Sequence, residues 1–216
     1  MPTFDLVILG GGSGGYAAAL RGAQLGLSVA LIEKDKLGGT CLHYGCIPTK
    51  ALLHAAEVAD ATKEAGAFGI KAAFEGIDLP GVYSYRDGVV GRLYKGLQGL
   101  VKSRDITLVE GTGTLTSPTT VDVAGTTYTA TKAVILATGS YARSLPGLEI
   151  GGLVMTSDQA LTLDWVPNSA IVLGGGVIGV EFASVWRSFG TDVTIVEALP
   201  RLVPSEDESA SKALES

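Results

Sequence analysis

The chain has two cysteines, Cys41 and Cys46, and four residues separate them. A disulfide between them would close a six-residue ring. So short a ring constrains the unfolded chain little, because loop-closure entropy grows with loop length. Such a bond is poorly placed to stabilise a fold but well placed to open and close as a two-electron couple beside a redox cofactor. We therefore predict redox chemistry at this pair.

A zinc site and a pair of inert buried thiols are the alternatives for these cysteines. Cys41, His43, Cys46 and His54 could supply four ligands, but their spacing matches no common zinc pattern. If a helix opens at Ile47-Pro48, His54 lies about two turns along it, roughly 12 Å from Cys46. Inert thiols are common in protein cores, but the flanking sequence favours chemistry. We expect no metal site.

A glycine-rich motif precedes the cysteines. The apolar run 4–9 predicts a buried strand, which leads into Gly10-Gly11-Gly12-Ser13-Gly14-Gly15 and then into an Ala-rich helix over 16–25. A second apolar strand, 28–32, ends on Glu33. Strand, G-x-G-x-x-G, helix, strand and acid thus follow one another within about 30 residues, as the dinucleotide-binding fingerprint requires.

Each part of this fingerprint has an expected physical role. Gly10 makes the tight turn, Gly12 lets a pyrophosphate approach the backbone, and Gly15 lets helix and strand pack closely. The helix N-terminus offers N–H groups and a positive dipole end to the phosphates. Glu33 is placed to accept hydrogen bonds from ribose hydroxyls.

The pattern recurs near the end of the chain. The apolar run 170–173 leads into Gly174-Gly175-Gly176-Val177-Ile178-Gly179, a helix to Gly190 and a strand that ends on Glu197. In both repeats the acid stands 23 positions after the first glycine. Two repeats predict two nucleotide cofactors, or one cofactor and one nucleotide substrate. The alternative, two βαβ units without ligands, would leave both acids without a role.

Composition excludes several classes of function. A net charge of −6 and a pI of 4.9 argue against nucleic-acid binding. The apolar runs are too short to span a bilayer, and the N-terminus lacks the basic segment of a secretory signal. We therefore expect a cytoplasmic protein without membrane contacts, in which a disulfide is catalytic rather than structural.

Weaker patterns lie between the repeats. A helix is expected from Ile47-Pro48 to about Gly66, because proline suits a first helical turn. Cys46 then lies at the helix start, where the dipole stabilises a thiolate, and Lys50 shares its helix face. Further along, a helix is expected over 83–104.

Strand patterns complete the expected fold. Thr/Val-rich alternation over 106–132 predicts a small antiparallel meander, and 133–136 predicts a buried strand. The fold class is therefore α/β, with two Rossmann-like, doubly wound and mainly parallel units, a meander in the first, and a second that is cut short.

Together these motifs resemble the class I pyridine nucleotide-disulfide oxidoreductases, the disulfide-containing flavoprotein reductases. The likeness rests on the C-x4-C-x3-K pattern within 38–54, on Ala137-Thr138-Gly139, and on 176–181, so it extends over the whole chain. Within the family, the run 46–54 is most similar to the members that oxidise dihydrolipoamide.

The resemblance implies two cofactors and two domains. FAD would bind to residues 1–148, and NAD to residues 149–216, the incomplete start of a second domain. The implied cofactor contacts are Gly10, Gly12, Ser13, Gly14, Gly15, Glu33, Lys34, Gly39, Thr40, Cys41, Lys50, Gly113, Ala137, Thr138, Gly139, Gly174, Gly176, Val177, Ile178, Gly179 and Glu197.

It also implies catalytic roles. Cys41 would attack the substrate disulfide, Cys46 would lie against the flavin, and Lys50 would approach flavin N5 and pair with Glu181. The alternative for Glu181 is an acid in the first helical turn, where the dipole favours it.

The chain departs from the family pattern in three places. His43-Tyr44 replaces the more usual Asn-Val inside the redox loop, and Thr49 replaces a common Ser. These changes leave both thiols in place but bear on redox tuning.

The implied reaction begins with dihydrolipoamide on the acyltransferase of a 2-oxo acid dehydrogenase complex. Dihydrolipoamide reduces the disulfide, and a hydride finally passes to NAD. The resemblance implies that the active enzyme is a homodimer. Glutathione or mercuric reductase activity and a non-catalytic nucleotide-binding role stay open. In the family, the acid/base histidine belongs to a C-terminal domain. We therefore expect this chain to be the N-terminal part of such an enzyme and to be inactive alone.

Overall fold

The computed structural model describes residues 1–216. The strands are β1 (Thr3–Leu9), β2 (Val29–Glu33), β3 (Thr107–Glu110), β4 (Gly113–Ser117), β5 (Thr120–Val123), β6 (Thr126–Leu136), β7 (Ser169–Leu173) and β8 (Asp192–Val196). The helices are α1 (Ser13–Gln24), α2 (Gly39–His43), α3 (Cys46–Glu64), α4 (Leu79–Ser103), α5 (Ser157–Ala160), α6 (Val177–Phe189) and α7 (Glu208–Glu215). None of the helices combines the length and the apolar character needed to cross a bilayer.

The chain forms two compact units. The first unit comprises residues 1–47 and 89–154, and the second unit comprises residues 48–88 and 155–216. This division by packing differs from the division expected at residue 148, because residues 48–88 pack with the second unit. The assignment of one cofactor to each side of residue 148 stays a prediction.

The first unit contains a six-stranded sheet in the order β3-β2-β1-β6-β5-β4. Strands β3, β2, β1 and β6 are parallel, and β5 and β4 continue the sheet in antiparallel fashion. The chain leaves β1 toward β2 on one side and returns through β6 on the other. The carboxyl ends of β1 and β6 therefore form the switch point at which doubly wound sheets bind ligands.

The apolar runs of β1 and β2 are buried on both faces of the sheet. Ile8 and Leu31 pack on one face with residues of α1 and α4, including Ala19 and Val101. Val7, Ala30 and Ile32 pack on the other face with residues of β5 and β6. Because successive side chains of a strand point to opposite faces, a strand covered on both sides needs a continuous apolar run. The α/β class with a mainly parallel sheet is thus confirmed.

Two of the predicted strand boundaries are wrong. Residues 107–110 do not belong to the antiparallel meander, since β3 pairs in parallel with β2 at the opposite edge of the sheet. The strand expected over 133–136 is the second half of β6, and its residues are half-buried or exposed rather than buried. Thr/Val alternation marks a half-covered strand but does not specify the direction of its neighbour.

The predicted helices exist with shifted ends. Helix α3 begins at Cys46, one residue before the expected start, and ends at Glu64. Helix α4 begins at Leu79 rather than at residue 83, because Leu79-Pro80 opens it with a proline in the first turn.

The second unit contains the parallel pair β7–β8 and the helices that pack near it. Its core joins Leu52 of α3 to Leu161 and to Phe182 and Val185 of α6. This cluster explains why residues 48–88 belong to the second unit: the apolar side of α3 is buried there.

Asp5 links β1 to both neighbouring strands of the sheet in the first unit. Its Oδ2 accepts hydrogen bonds from the backbone N–H and the hydroxyl of Ser28, both at 2.9 Å. Lys132 Nζ lies 3.2 Å from Oδ1. The Ser28 N–H, the Ser28 hydroxyl and then Lys132 lower the pKa of Asp5 from 3.8 to about 2.

We expect Asp5→Asn to lower the urea midpoint of unfolding at pH 7. A lowered native pKa gives stability that is complete above the unfolded-state pKa and lost as the pH falls through the native one. The difference between parent and variant should therefore shrink between about pH 4 and pH 2. Exposed Asp105 supplies the control, and Asp105→Asn should leave the pH profile unchanged. A difference for Asp5→Asn that is constant over this range would contradict the assignment.

Candidate redox and nucleotide-binding sites

The first glycine loop lies at the carboxyl end of β1. Gly10 has φ +104°, and a Cβ there would lie 2.1 Å from the carbonyl oxygen of Ala137. A Cβ on Gly15 would lie 1.8 Å from the carbonyl oxygen of Gly10. The turn at Gly10 and the close packing at Gly15 are thus confirmed.

The same loop leaves open the place where a pyrophosphate is expected. The nearest atom to a Cβ on Gly12 would be the Cα of Gly39, at 3.8 Å. Helix α1 begins at Ser13, and no side chain caps it. An uncapped helix start offers its first N–H groups to an anion. The backbone therefore fits the pyrophosphate of a dinucleotide such as FAD, and that contact stays a prediction.

The acid at the end of β2 holds this loop in place. Glu33 Oε2 accepts a hydrogen bond from the N–H of Gly11 at 2.6 Å, and Oε1 accepts one from the N–H of Asp35 at 2.8 Å. Gly11 is buried, so its N–H needs a partner inside the protein. We call this arrangement the acid–glycine brace.

The second repeat contains the same brace. Glu197 Oε2 accepts from the N–H of Gly175 at 2.7 Å, and Oε1 accepts from the N–H of Leu199 at 2.8 Å. The expectation that the acids would have no role without a ligand is therefore wrong, since each one satisfies its own loop. A carboxylate has about four acceptor positions, so the brace leaves room for ribose hydroxyls as well.

The brace also fixes the charge of Glu197. The N–H groups of Leu199 and Gly175 hold the pKa of this carboxyl below its usual value. The carboxylate is thus ionised at neutral pH.

A returning segment closes each loop from the other side. The N–H of Gly38 donates to the carbonyl oxygen of Gly11 at 2.8 Å, and the N–H of Val203 donates to that of Gly175 at 2.7 Å. Sequence reasoning missed the brace and the returning segment. One signal for the brace was available: the second glycine stands 22 positions before the acid in both repeats.

The two cysteines lie at a junction of two helices in the first unit. Cys41 is half-buried within α2, and Cys46 is exposed and is the first residue of α3. The prediction that Cys46 begins a helix is confirmed.

The residues between the cysteines are tied to the segment that follows Glu33. His43 Nε2 donates to the carbonyl oxygen of Leu37 at 3.0 Å, and its ring lies edge-on to Tyr94 with centroids 4.9 Å apart. The Tyr44 hydroxyl donates to Asp35 Oδ2 at 2.9 Å. Two of the three positions that depart from the family pattern, His43 and Tyr44, thus contact the segment 35–37.

In the second unit, Lys50 and Glu181 form an ion pair. Lys50 Nζ lies 2.5 Å from Glu181 Oε1, and the side chains are 55% and 18% exposed. Glu181 is the fifth residue of α6, which has no acid in its first turn. The alternative role for Glu181, stabilisation of a helix dipole from the first turn, is therefore wrong. Lys50 is the partner that the structure supplies.

The far ends of α3 and α6 are joined as well. The Ser188 hydroxyl donates to Asp60 Oδ2 at 2.5 Å, and Lys63 Nζ lies 3.1 Å from Asp60 Oδ1. The Ser188 hydroxyl lowers the pKa of Asp60, and Lys63 adds to this effect. Helices α3 and α6 are thus held together at both ends, which fixes the pair of Lys50 with Glu181.

The second glycine loop repeats the geometry of the first. Gly174 has φ +107°, and a Cβ on Gly179 would lie 2.0 Å from the carbonyl oxygen of Gly174. Helix α6 begins at Val177 after Gly176, without a side-chain cap. Val177 and Ile178 are exposed. This loop therefore also fits a dinucleotide pyrophosphate.

The remaining predicted contact residues lie after β2, in α2, at the start of β4 and after β6. Ala137 follows β6, and its N–H donates to the carbonyl oxygen of Leu9 at 2.8 Å, which places 137–139 beside the first loop. A Cβ on Gly113 would lie 2.5 Å from a methyl of Leu9. Gly113 therefore has a packing role in the core, and its contact to an adenine stays a prediction. Lys34 and Thr40 are exposed.

No group of three or more His, Cys, Asp or Glu side chains is placed to hold a metal ion.

Comparison with known proteins places the chain in a family. The family model for pyridine nucleotide-disulphide oxidoreductases matches residues 4–216. The dihydrolipoyl dehydrogenase of Bacillus subtilis (strain 168) is 45% identical over 226 residues, covering 99% of this chain and 48% of the relative. The dihydrolipoyl dehydrogenase of Thermus scotoductus (strain ATCC 700910 / SA-01) is 43% identical over 215 residues, covering 99% of this chain and 46% of the relative.

A solved structure has the same fold. It is the Cu(II) complex of the HOCl-induced flavoprotein disulfide reductase RclA from Escherichia coli, with a TM-score of 0.78 and 29% identity. The match covers 99% of this chain and 46% of that one. The chain spans about half the length of the curated relatives it matches. Because the family model covers nearly every residue, the chain belongs to the pyridine nucleotide-disulphide oxidoreductase family.

Proposed function

We propose that this chain supplies the disulfide, FAD and NAD sites of an enzyme that oxidises dihydrolipoamide to lipoamide. The observation that carries the proposal is the position of the thiols. Cys41 and Cys46 lie at the junction of α2 and α3, and Gly38, the residue that precedes α2, is hydrogen-bonded to the first glycine loop. The relatives named dihydrolipoyl dehydrogenase, at 45% and 43% identity, support the choice of substrate.

Cys41 and Cys46 perform the exchange with substrate. A thiolate of dihydrolipoamide attacks Cys41 Sγ of the disulfide, which forms a mixed disulfide and releases Cys46 as a thiolate. The second substrate thiolate then attacks the substrate sulfur of the mixed disulfide and releases Cys41, which closes the ring of lipoamide. Two electrons and two protons have left the substrate, and the start of α3 stabilises the negative charge on Cys46.

The two glycine loops hold the cofactors. The uncapped starts of α1 and α6 bind the pyrophosphates, and Glu33 and Glu197 accept hydrogen bonds from ribose hydroxyls. When bound, FAD supplies the two-electron acceptor that reoxidises the dithiol, and NAD supplies the hydride acceptor. Lys50, which pairs with Glu181 at 2.5 Å, would supply a positive charge to the flavin.

The partners follow from the same proposal. The substrate reaches the enzyme on a lipoyl-bearing acyltransferase of a 2-oxo acid dehydrogenase complex, and the active protein is a cytoplasmic homodimer. Among the rival substrates, glutathione and mercuric ion are reduced by NADPH-dependent members, and the ionised Glu197 favours NAD over NADP.

The first test replaces each cysteine in turn, in the enzyme to which this chain is proposed to contribute, since we expect the chain alone to be inactive. We expect Cys41→Ser and Cys46→Ser each to reduce dihydrolipoamide-dependent NADH formation by about 10³-fold or more, because either change removes the disulfide. The ratio of bound FAD to protein should stay that of the parent, since neither thiol is needed for the glycine loop to bind a pyrophosphate. Initial rates at 340 nm and the flavin absorbance of the purified protein provide the two measurements.

Substrate competition separates the alternatives in the same experiment. Parent protein with bound FAD that turns over glutathione disulfide and NADPH, but not dihydrolipoamide and NAD, would exclude the proposed substrate. Bound FAD with no turnover of either pair would favour the non-catalytic role.

The second test concerns the choice of nucleotide. A carboxylate at position 197 accepts a hydrogen bond from a ribose 2′-OH and repels a 2′-phosphate. We expect the parent to bind NADH more tightly than NADPH. Glu197→Gln should lower the ratio of the NADPH to the NADH dissociation constant by roughly tenfold. This substitution removes the charge but keeps one acceptor for the brace. Equilibrium titration with both nucleotides measures the ratio.

The twin acid is the matched control. Glu33→Gln makes the same change in the first repeat and should leave the NADH/NADPH ratio at the parent value. An equal effect of the two substitutions would show that the preference does not arise at Glu197.

A further inference from the structure

The two repeats share the acid–glycine brace but differ in what is attached to it. In both, the residue two positions after the acid donates its backbone N–H to the carboxylate. That residue is Asp35 in the first repeat and Leu199 in the second. The Leu199 side chain is exposed, whereas the Asp35 carboxylate accepts the Tyr44 hydroxyl at 2.9 Å. Only the repeat that precedes the cysteines therefore extends its brace to another loop.

The extension forms a short chain of hydrogen bonds. The N–H groups of Gly11 and Asp35 both donate to the Glu33 carboxylate, at 2.6 and 2.8 Å. The Tyr44 hydroxyl donates to the Asp35 carboxylate at 2.9 Å. Tyr44 lies inside the six-residue ring that the disulfide would close. The chain thus joins the first glycine loop to the middle of the redox ring.

A second contact holds the same ring nearby. His43 Nε2 donates to the carbonyl oxygen of Leu37 at 3.0 Å, and Gly38 is hydrogen-bonded to Gly11 at 2.8 Å. The start of α2 and both residues in the middle of the ring are therefore attached to the segment 35–38. This segment acts as a frame for the ring.

We propose that Tyr44 and Asp35 are positioning residues for the redox disulfide, which hold the 41–46 ring in the conformation that allows Cys41 and Cys46 to bond. The inference rests on the proposed function, since it assigns a role within that disulfide chemistry. Neither residue contacts substrate in this role. A ring already held in place loses less conformational entropy when it closes, so the disulfide forms more readily.

The equilibrium with glutathione measures this effect directly. Two thiols of the protein and one glutathione disulfide give the Cys41–Cys46 disulfide and two molecules of reduced glutathione. Two electrons and two protons pass from the protein to glutathione, so the reaction is balanced without any bound cofactor. The closure constant then depends on how the ring is held.

The experiment uses the whole chain in glutathione buffers of graded ratio. After acid quenching and alkylation, mass spectrometry gives the oxidised fraction at each ratio. We expect Tyr44→Phe to lower the closure constant by roughly three- to tenfold, as for the loss of one hydrogen bond. Asp35→Leu, which installs the residue of the second repeat, should have a similar effect.

The double variant and a surface control complete the set. Tyr44→Phe combined with Asp35→Leu should be no worse than either alone, because both remove the same bond. Tyr141→Phe, at a side chain that is 89% exposed, should leave the closure constant unchanged. Far-UV circular dichroism of each variant confirms that it is folded before it is compared.

The possible outcomes separate the two hypotheses. If the parent forms no Cys41–Cys46 disulfide at any buffer ratio, the proposed function is wrong and the positioning role falls with it. If the parent forms the disulfide but both folded variants keep its closure constant, or close more readily, only the positioning role is wrong. Additive effects in the double variant would likewise overturn the pairing of Tyr44 with Asp35.

Discussion

A carboxylate hydrogen-bonded to a buried backbone N–H is the contact on which both glycine loops depend. A sharp turn after a strand takes the second glycine out of the sheet, so its N–H has no strand partner. Glu33 and Glu197 supply the missing acceptor, at 2.6 and 2.7 Å. Without that acceptor, a buried donor carries the full penalty of losing water. This bond and the bond from the returning segment together constrain the loops from which α1 and α6 begin.

From the first loop, the constraint spreads to the thiols. The bond between Gly38 and Gly11 ties the start of α2 to the loop, and α2 carries Cys41. The first glycine loop and the segment that carries the two cysteines are therefore parts of one hydrogen-bonded structure in the first unit. In the second unit, Lys50 and Glu181 are positioned differently, by the packing of two helices along their length.

The sequence predicted the features that depend on local pattern. The glycine spacing, the terminal acids and the continuous apolar runs specified both loops and the strands that lead into them. The pairing partner of β3 could not be predicted, since an edge strand has the same alternation whichever direction its neighbour runs. The packing of residues 48–88 with the second unit could not be predicted either, because one core cluster brings together Leu52 and Phe182, which are 130 residues apart. The contact of Tyr44 with Asp35 was beyond reach for a similar reason: it depends on the path of the loop.

The second residue after each acid serves its loop through the main chain alone. Any amino acid except proline has the N–H that Asp35 and Leu199 donate. Mutation can therefore change the side chain at this position without disturbing the nucleotide loop. The side chain at such a position can therefore contact another loop at little cost to the glycine loop. Asp35 makes such a contact with Tyr44, whereas the Leu199 side chain is exposed.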